Sequence, residues 1–226
     1  MLKIGTEPTP MRLRYHTYEF DQCDLHVRTL RNRQEFEDPD DIAQALGISS
    51  SNWSLFGVVW DSGEVLARLM WNRVFHGEKI LEVGCGIGLA SLVLSVRAQN
   101  ISATDRHPDA QKFLDYNSAL NELSPIKFER CNWEHLDSSL GKFDLIIGSD
   151  LLYDRENLEH LSRFIDQHAE PACEVLLVDP NRGLCSKFSS KMETLGFTAC
   201  PRITVDIDSL KQFKGSILGY NRAKGL

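Results

Sequence analysis

A glutamate and three alternating glycines follow a short apolar run in this 226-residue chain, in the order Glu82, Gly84, Gly86 and Gly88. Glycine lets the backbone turn sharply and come close to a ligand, and a helix that starts after such a turn offers free N–H groups. Glu82 ends a run otherwise suited to burial, and a buried carboxylate needs a partner that a bound ligand can supply. The pattern therefore predicts a ligand-binding loop.

Further polar and aromatic side chains follow other apolar runs. Asp105 comes after one such run, and a carboxylate in that position can bind the two hydroxyls of a ribose. Trp133 offers a flat apolar face for an adenine ring, and the amide of Asn132 can hydrogen-bond the edge of the ring. Ser149 and Asp150 follow the next run. Binding sites in open α/β sheets lie beyond the carboxyl ends of the strands, so these residues predict one site along one sheet edge.

The elements that must position these residues alternate regularly along the chain. Short apolar runs predict strands, and the segments between them carry apolar residues at helical spacing, as at Leu158, Leu161 and Ile165. The predicted strands cover residues 80–83, 101–104, 126–129, 143–148 and 174–178, with two more at 202–207 and 215–221. Strands that alternate with helices predict a mostly parallel, doubly wound sheet.

The glycine pattern separates two classes of nucleotide-binding protein. Dinucleotide sites use G-x-G-x-x-G, but Leu89 stands where the third glycine should be. The pattern E-x-G-x-G-x-G instead resembles the cofactor loop of class I (seven-β-strand) S-adenosylmethionine-dependent methyltransferases. Asp150 and Tyr153 form a D-x-x-Y motif after Gly-Ser, which resembles the lysine methyltransferase-like branch of that class. The resemblance covers roughly residues 50–220.

This resemblance implies a Rossmann-like α/β fold: a doubly wound, mostly parallel seven-stranded sheet with an antiparallel C-terminal strand. It implies S-adenosyl-L-methionine as the cofactor. The residues that would bind it are Trp60, Glu82, Gly84, Cys85, Gly86, Gly88, Asp105, Arg106, Asn132, Trp133 and Ser149. The branch commonly has an acidic residue before the tryptophan and a small one after it, and Asn132 and Glu134 depart from that pattern.

Asp150 and Tyr153 are the expected catalytic residues. Methyl transfer needs an uncharged nucleophile, whereas a lysine amine with a pKa of about 10.4 is mostly charged at neutral pH. Burial lowers that pKa, and Asp150 would orient the amine while Tyr153 forms a wall of the channel. Arg182, in an Asp-Pro-x-Arg turn, would either contact the substrate or only belong to the turn.

The expected acceptor is a nitrogen on a protein side chain, lysine first. A small-molecule methyltransferase and a non-catalytic S-adenosylmethionine-binding regulatory protein are the alternatives within this class. A nicotinamide dehydrogenase would share the fold, but the missing third glycine weighs against it.

Residues 1–50 are expected to be an N-terminal extension without its own core, and residues 51–226 the methyltransferase domain. Two β-rich stretches, 14–20 and 24–30, predict a hairpin with its turn near Gln22 and Cys23. A helix should start at residues 38–41, carry Ile42, Ala45 and Leu46 on one face, and stop at Gly47.

Bulk composition excludes several classes of function. A formal net charge of -7 argues against a general nucleic-acid binder. The six cysteines are scattered without a Cys/His cluster, so no metal site is predicted, and free thiols suit the cytosol. No stretch reaches transmembrane length, which predicts a cytoplasmic protein that does not bind membranes.

Overall fold

The computed structural model describes residues 11–135, 138–204 and 213–223. The chain begins with a hairpin of β1 (Leu13–Phe20) and β2 (Cys23–Leu30), as the sequence predicts. The turn lies one residue earlier than expected, at Asp21 and Gln22, because Cys23 pairs with Phe20. Asp21 supplies the positive φ of 48° that such a tight turn requires.

Three short helical segments follow the hairpin: α1 (Ile42–Ala45), α2 (Ser50–Trp53) and a 3₁₀ turn (Ser54–Gly57). The predicted apolar face of α1 does not pack on the core, since Ile42 and Leu46 are 46% and 40% exposed while Ala43 is buried. A helix of one turn is too short for an apolar stripe to set its orientation. The carboxylate of Asp38 fixes it instead, by accepting hydrogen bonds from the N–H groups of Ala43 and Gln44 at 3.0 and 2.9 Å.

Strands and helices then alternate through the rest of the chain. The helices are α3 (Asp61–Asn72), α4 (Leu89–Val96), α5 (Ala110–Leu120), α6 (Asn157–His168) and α7 (Cys185–Thr194). The strands are β3 (Lys79–Val83), β4 (Asn100–Asp105), β5 (Lys127–Arg130), β6 (Phe143–Ser149), β7 (Ala169–Asp179), β8 (Thr198–Ala199), β9 (Ile203–Thr204) and β10 (Ser216–Arg222).

The C-terminal strand β10 lies antiparallel to the parallel strands of the sheet, as the sequence predicts. The sheet order is β5-β4-β3-β6-β7-β10-β8, with β9 also paired to β10. Strands β3 to β7 are mutually parallel, and β10 is antiparallel to β7. The predicted fold class is therefore confirmed. The described part of the sheet has eight strands rather than seven, because the two-residue β8 was too short to predict; residues 205–207 of the predicted strand lie outside the described residues.

The core lies on both faces of the sheet. Along β3, Ile80 packs among residues of α3, α4, α5 and the hairpin, while Leu81 and Val83 face α6 and α7. Burial on both faces explains why the parallel strands are continuous apolar runs. Phe20, Val27 and other apolar hairpin residues belong to the first of these two clusters, so the hairpin packs on the same core as the sheet.

Candidate active site

The carboxyl ends of the parallel strands open into one cavity of about 550 Å³. This volume lies in the range of about 300–1,000 Å³ that is usual for sites of small molecules and cofactors. The structure brings all the sequence-predicted site residues together at this cavity. They are Trp60, Glu82, Gly84, Cys85, Gly86, Gly88, Asp105, Arg106, Asn132, Trp133, Ser149, Asp150, Tyr153 and Arg182.

The glycine loop has a backbone that other residues adopt only at a cost. Gly84, Gly86 and Gly88 have φ of 63°, 54° and 75°. A Cβ on Gly86 would lie 2.9 Å from the carbonyl oxygen of Phe56, and one on Gly84 would lie 2.6 Å from Leu151 Cδ2. The loop therefore keeps both its left-handed turns and its close packing only with glycine.

Glu82 is buried behind this loop. Its Oε2 accepts hydrogen bonds from the backbone N–H of Ser91, at 2.8 Å, and from the Ser91 hydroxyl. Burial raises the pKa of Glu82 to about 7, against the lowering effect of these hydrogen bonds. The partner that the sequence required is thus supplied in part by α4.

Asp105 lies at the end of β4, next to the glycine loop. Its Oδ2 accepts a hydrogen bond from Gly86 N–H and its Oδ1 from His107 N–H, both at 2.8 Å. Burial raises the pKa of this carboxyl as well. Each oxygen can accept one further hydrogen bond, which is the number that two ribose hydroxyls need.

An aromatic stack that the sequence did not predict lies beside Asp105. The ring of His107 stacks on Phe56 with centroids 3.7 Å apart, and Trp53 contacts His107 edge-on. Burial lowers the pKa of His107 to about 4, so the ring is neutral at physiological pH. The sequence could have indicated this stack only through the position of His107, two residues after Asp105. Its partner Phe56 lies in a distant segment of the chain.

Two tryptophans, Trp60 and Trp133, line the cavity and make different contacts. Trp60 donates its indole N–H to the carbonyl oxygen of Leu55 at 3.0 Å, which fixes the ring at the start of α3. Trp133 lies over the glycine loop, with its Cζ2 3.5 Å from the place that a Cβ on Gly84 would take. The amide of Asn132 forms long hydrogen bonds, of 3.3 and 3.4 Å, with Glu134.

Asp150 forms a bidentate ion pair with Arg182. Arg182 Nε lies 2.6 Å from Asp150 Oδ1 and Nη2 lies 2.7 Å from Oδ2. Asp150 follows β6 with a left-handed φ of 53°, and its N–H donates to the carbonyl oxygen of Val178 in β7. Arg182 is held by a turn, since Asp179 Oδ1 accepts hydrogen bonds from the N–H groups of Asn181 and Arg182. The segment is therefore both the predicted turn and part of the cavity wall.

Tyr153 lies at the mouth of the cavity and is 51% exposed. Partial burial of its hydroxyl raises the pKa of the phenol, so Tyr153 is uncharged at neutral pH. The neighbouring Arg106 Nη2 lies 3.5 Å from the carbonyl oxygen of Gly47, at the limit of a hydrogen bond. The N-terminal extension thus reaches the rim of the cavity through Gly47 and Ile48.

The described ranges, residues 11–135, 138–204 and 213–223, contain neither a cluster of metal ligands nor a membrane-spanning helix. Within those ranges, His, Cys, Asp and Glu side chains form no group of three that could hold a metal ion. No helix there combines the length and apolar character needed to cross a bilayer. Cys23, Cys85, Cys173, Cys185 and Cys200 are free thiols.

A glycine loop after β3, a buried carboxylate at the end of β4 and the antiparallel strand β10 are the features of a class I S-adenosylmethionine-dependent methyltransferase. Within that class, the chain belongs to the lysine methyltransferase family, whose sequence model matches residues 44–194.

Curated relatives agree with this assignment. The chain is 28% identical over 196 residues to the calmodulin-lysine N-methyltransferase of Arabidopsis thaliana, covering 80% of this chain and 60% of the relative. It is 34% identical over 131 residues to the protein N-lysine methyltransferase METTL21A of Danio rerio, covering 50% and 60%. The chain thus spans about 60% of the length of these relatives.

Two solved structures share the fold at low sequence identity. The 16S rRNA N2 G1207 methyltransferase (RsmC) of T. thermophilus superposes with a TM-score of 0.67 at 14% identity, over 96% of this chain and 52% of that one. The ribosomal protein L11 methylase of Lactobacillus delbrueckii subsp. bulgaricus gives 0.59 at 20% identity, over 73% and 80%.

Proposed function

We propose that this protein transfers a methyl group from S-adenosylmethionine to the side-chain nitrogen of a lysine in another protein. The observation that carries the proposal is the position of Asp150. The D-x-x-Y carboxylate lines the same cavity as the glycine loop and Asp105, so an amine that approaches Asp150 also approaches the cofactor site. Relatives named as lysine methyltransferases of calmodulin and of the electron transfer flavoprotein beta subunit support a protein acceptor.

The cavity residues fit the cofactor. Gly84 and Gly86 allow its polar part to approach the backbone, Asp105 has two spare acceptor positions for ribose hydroxyls, and Trp133 offers a flat apolar surface for adenine. Trp60, Glu82, Cys85, Gly88, Arg106, Asn132 and Ser149 complete the proposed cofactor site. When bound, S-adenosylmethionine supplies an already activated methyl group.

The chain's own residues then need only bind the amine, orient it and exclude water. Asp150 hydrogen-bonds the amine. This orients the lone pair of the amine nitrogen toward the methyl group that is transferred. Tyr153 forms the outer wall, where its ring face is favourable to a cation that enters from solvent. Burial between these side chains disfavours the ammonium form and favours the neutral, nucleophilic amine.

The N-terminal extension, residues 1–50, is proposed to shape the acceptor side of domain 51–226, since Gly47 and Ile48 lie at the cavity. A cytosolic location is proposed because Cys23, Cys85, Cys173, Cys185 and Cys200 are free thiols, which suits a reducing compartment.

Incubation with tritiated S-adenosylmethionine and cell lysate tests this function. The wild-type chain should label a discrete protein band, and Asp150→Asn should abolish the label while it still binds S-adenosylhomocysteine in calorimetry. Asp115→Asn is the matched control, because Asp115 lies on the exposed face of α5 away from the cavity. Acid hydrolysis of the band should release methyl-lysine.

Other outcomes distinguish the alternatives. Methyl-histidine in the hydrolysate would move the acceptor to the residue named for a 28% identical relative from Dictyostelium discoideum, the histidine protein methyltransferase 1 homolog. Label confined to the low-molecular-weight fraction would indicate a small-molecule methyltransferase. Tight S-adenosylhomocysteine binding without any label would indicate a regulatory binder, and the proposed function would then be wrong.

A further inference from the structure

The carboxylate of Asp150 is already occupied. Both of its oxygens accept hydrogen bonds from Arg182, at 2.6 and 2.7 Å, and the Asp150 side chain is only 11% exposed. A bidentate guanidinium–carboxylate pair fixes both groups in one plane and one orientation. Asp150 and Arg182 therefore face the cavity as a unit with no net charge.

The charge of this unit matters for the chemistry proposed above. A carboxylate without a partner stabilises a nearby ammonium and so raises the pKa of the amine, which is the wrong direction for a nucleophile. A carboxylate neutralised by a guanidinium still offers lone pairs, because each oxygen accepts more than one hydrogen bond. It can thus orient an amine without favouring the protonated form.

We infer that Arg182 is a positioning residue for the acceptor: it holds Asp150 as a charge-neutral hydrogen-bond acceptor that selects the uncharged amine. This inference rests on the proposed function. The proton of the ammonium leaves to solvent water before methyl transfer, so Asp150 is not required to carry it.

The geometry places Arg182 close enough to have this effect. An amine hydrogen-bonded to Asp150 shares the carboxylate with the guanidinium, so the two nitrogens lie within about 6 Å of each other. A charge at about 4–6 Å shifts a pKa by roughly 1–3 units. Arg182 is anchored for this task, since Asp179 Oδ1 accepts a hydrogen bond from its N–H at 3.2 Å.

Other charged groups around the pair contribute a constant background. Asp179 acts on Arg182 from the end of β7, and Arg106, Asp105 and Asp154 act on Tyr153 at the mouth. The carboxylate of Asp154 accepts hydrogen bonds from Glu156 N–H and Asn157 Nδ2. Replacing Arg182 leaves each of these residues in place, so the effect of the guanidinium charge is obtained by comparing the variant with the wild type.

Sinefungin is a probe that needs no acceptor protein. This cofactor analogue carries a carbon with an ammonium group where the cofactor has its methyl sulfonium, so it places a cation beside the acceptor site. S-adenosylhomocysteine has an uncharged sulfur there. The ratio of the two dissociation constants, measured by calorimetry at pH 7, reports how strongly the site favours a cation.

Arg182→Gln should increase the preference for sinefungin over S-adenosylhomocysteine by about tenfold, because one pKa unit corresponds to a factor of ten. Arg182→Lys should leave the ratio near the wild-type value, since it keeps the positive charge. Asp150→Asn should lower the preference by about tenfold, because the guanidinium charge is then unpaired. Arg163→Gln is the control for a lost surface charge, since Arg163 pairs at 4.0 Å with Glu159 on α6, away from the cavity.

A second readout uses the labelled acceptor protein. The rate of methyl transfer should rise with pH as the amine loses its proton, and Arg182→Gln should move this rise about one pH unit higher. A residue with a purely structural role would lower the rate at every pH without moving the profile.

The outcomes separate the inference from the proposed function. If the wild-type chain fails to bind S-adenosylhomocysteine, the proposed function and this inference both fall. If it binds, and Arg182→Gln weakens both ligands equally or leaves the ratio unchanged, only the inference is overturned. Should Arg182→Gln fail to fold, Asp150→Asn decides, because an unchanged ratio in that variant contradicts a charge-neutral pair.

Discussion

The side chain of Asn117 on α5 hydrogen-bonds both backbone polar groups of Arg28 on β2. Its Oδ1 accepts from Arg28 N–H at 2.8 Å and its Nδ2 donates to the Arg28 carbonyl oxygen at 3.1 Å. One helical turn later, Asn121 bonds the N–H and carbonyl groups of His26 in the same manner, at 2.8 and 2.7 Å. The two amides thus take the place of a neighbouring strand along the edge of β2, and the hairpin is attached to the domain through them.

Replacing Asn117 with alanine should loosen this attachment. The N–H and carbonyl groups of Arg28 would lose their partners, and leaving buried polar groups unpaired costs about 1–3 kcal/mol of folding free energy. Urea unfolding should show a loss of that size, and hydrogen exchange at the Arg28 amide should accelerate. Asn72→Ala is the control, because Asn72 is exposed and its side-chain amide donates to the Arg68 carbonyl oxygen within α3. Unchanged exchange at Arg28 in the Asn117 variant would contradict this account.

The glycine loop makes a second prediction. Gly86→Ala should weaken S-adenosylhomocysteine binding at least about tenfold, or about 1.4 kcal/mol. The added Cβ would lie 2.9 Å from the carbonyl oxygen of Phe56, so the loop or the 3₁₀ turn must move. Calorimetry measures the affinity.

Gly77→Ala separates this steric effect from backbone strain. Gly77 has a φ of 95°, but a Cβ there would meet no atom within 4 Å. Both variants carry the left-handed strain of about 1–2 kcal/mol, yet only Gly86→Ala should lose affinity. Equal affinities of the two variants would show that the loop tolerates a side chain.

The buried carboxyl of Glu82 predicts how stability depends on pH. Its pKa is raised from 4.5 to about 7 in the folded chain. Below pH 4.5 the group is protonated in both the folded and the unfolded state. Between about pH 4.5 and 7 the unfolded chain releases its proton first, so the folded state should lose about 3 kcal/mol of stability as the pH rises.

Glu82→Gln replaces the titrating carboxyl with an amide, so the loss of stability between about pH 4.5 and 7 should disappear. Urea unfolding of the ligand-free protein at pH 5 and pH 7.5 should show that the variant gains stability relative to the wild type at the higher pH. Glu122→Gln, at an exposed position after α5, should keep the wild-type dependence. A Glu82 variant with the same pH dependence as the wild type would place the titrating group elsewhere.

The sequence predicts the strands of the sheet and the residues that follow them. Buried parallel strands are continuous apolar runs, and their carboxyl ends must share one sheet edge, so Glu82, Asp105 and Asp150 were expected near one another. The structure places all three at one cavity. Backbone topology alone determines this result, and topology is what apolar periodicity reports.

The apolar pattern of the sequence does not predict which side chains pair across long sequence separations. Asp150 and Arg182 are 32 residues apart, and their pairing depends on the turn at Asp179 rather than on either strand. Asn117 carried no signal, because its partners are backbone groups of β2, 89 residues away. Periodicity describes which face of an element is buried, whereas these contacts depend on how two elements meet.

Tyr153 provides the test of the acceptor side. Its ring lines the mouth of the cavity and is 51% exposed, so it can be removed without opening the core. Tyr153→Ala should lower the rate of methyl transfer to the labelled acceptor protein about tenfold, through the loss of a ring face for the entering cation and of a barrier to water. Tyr153→Phe keeps the ring and should retain most of the rate.

Affinity for S-adenosylhomocysteine should stay within about twofold of the wild type in both variants, because the Tyr153 ring faces the acceptor. Tyr116→Ala, on α5 away from the cavity, is the matched control. A parallel fall in cofactor affinity and rate would make Tyr153 part of the cofactor site, and a full rate in the alanine variant would remove it from the acceptor channel.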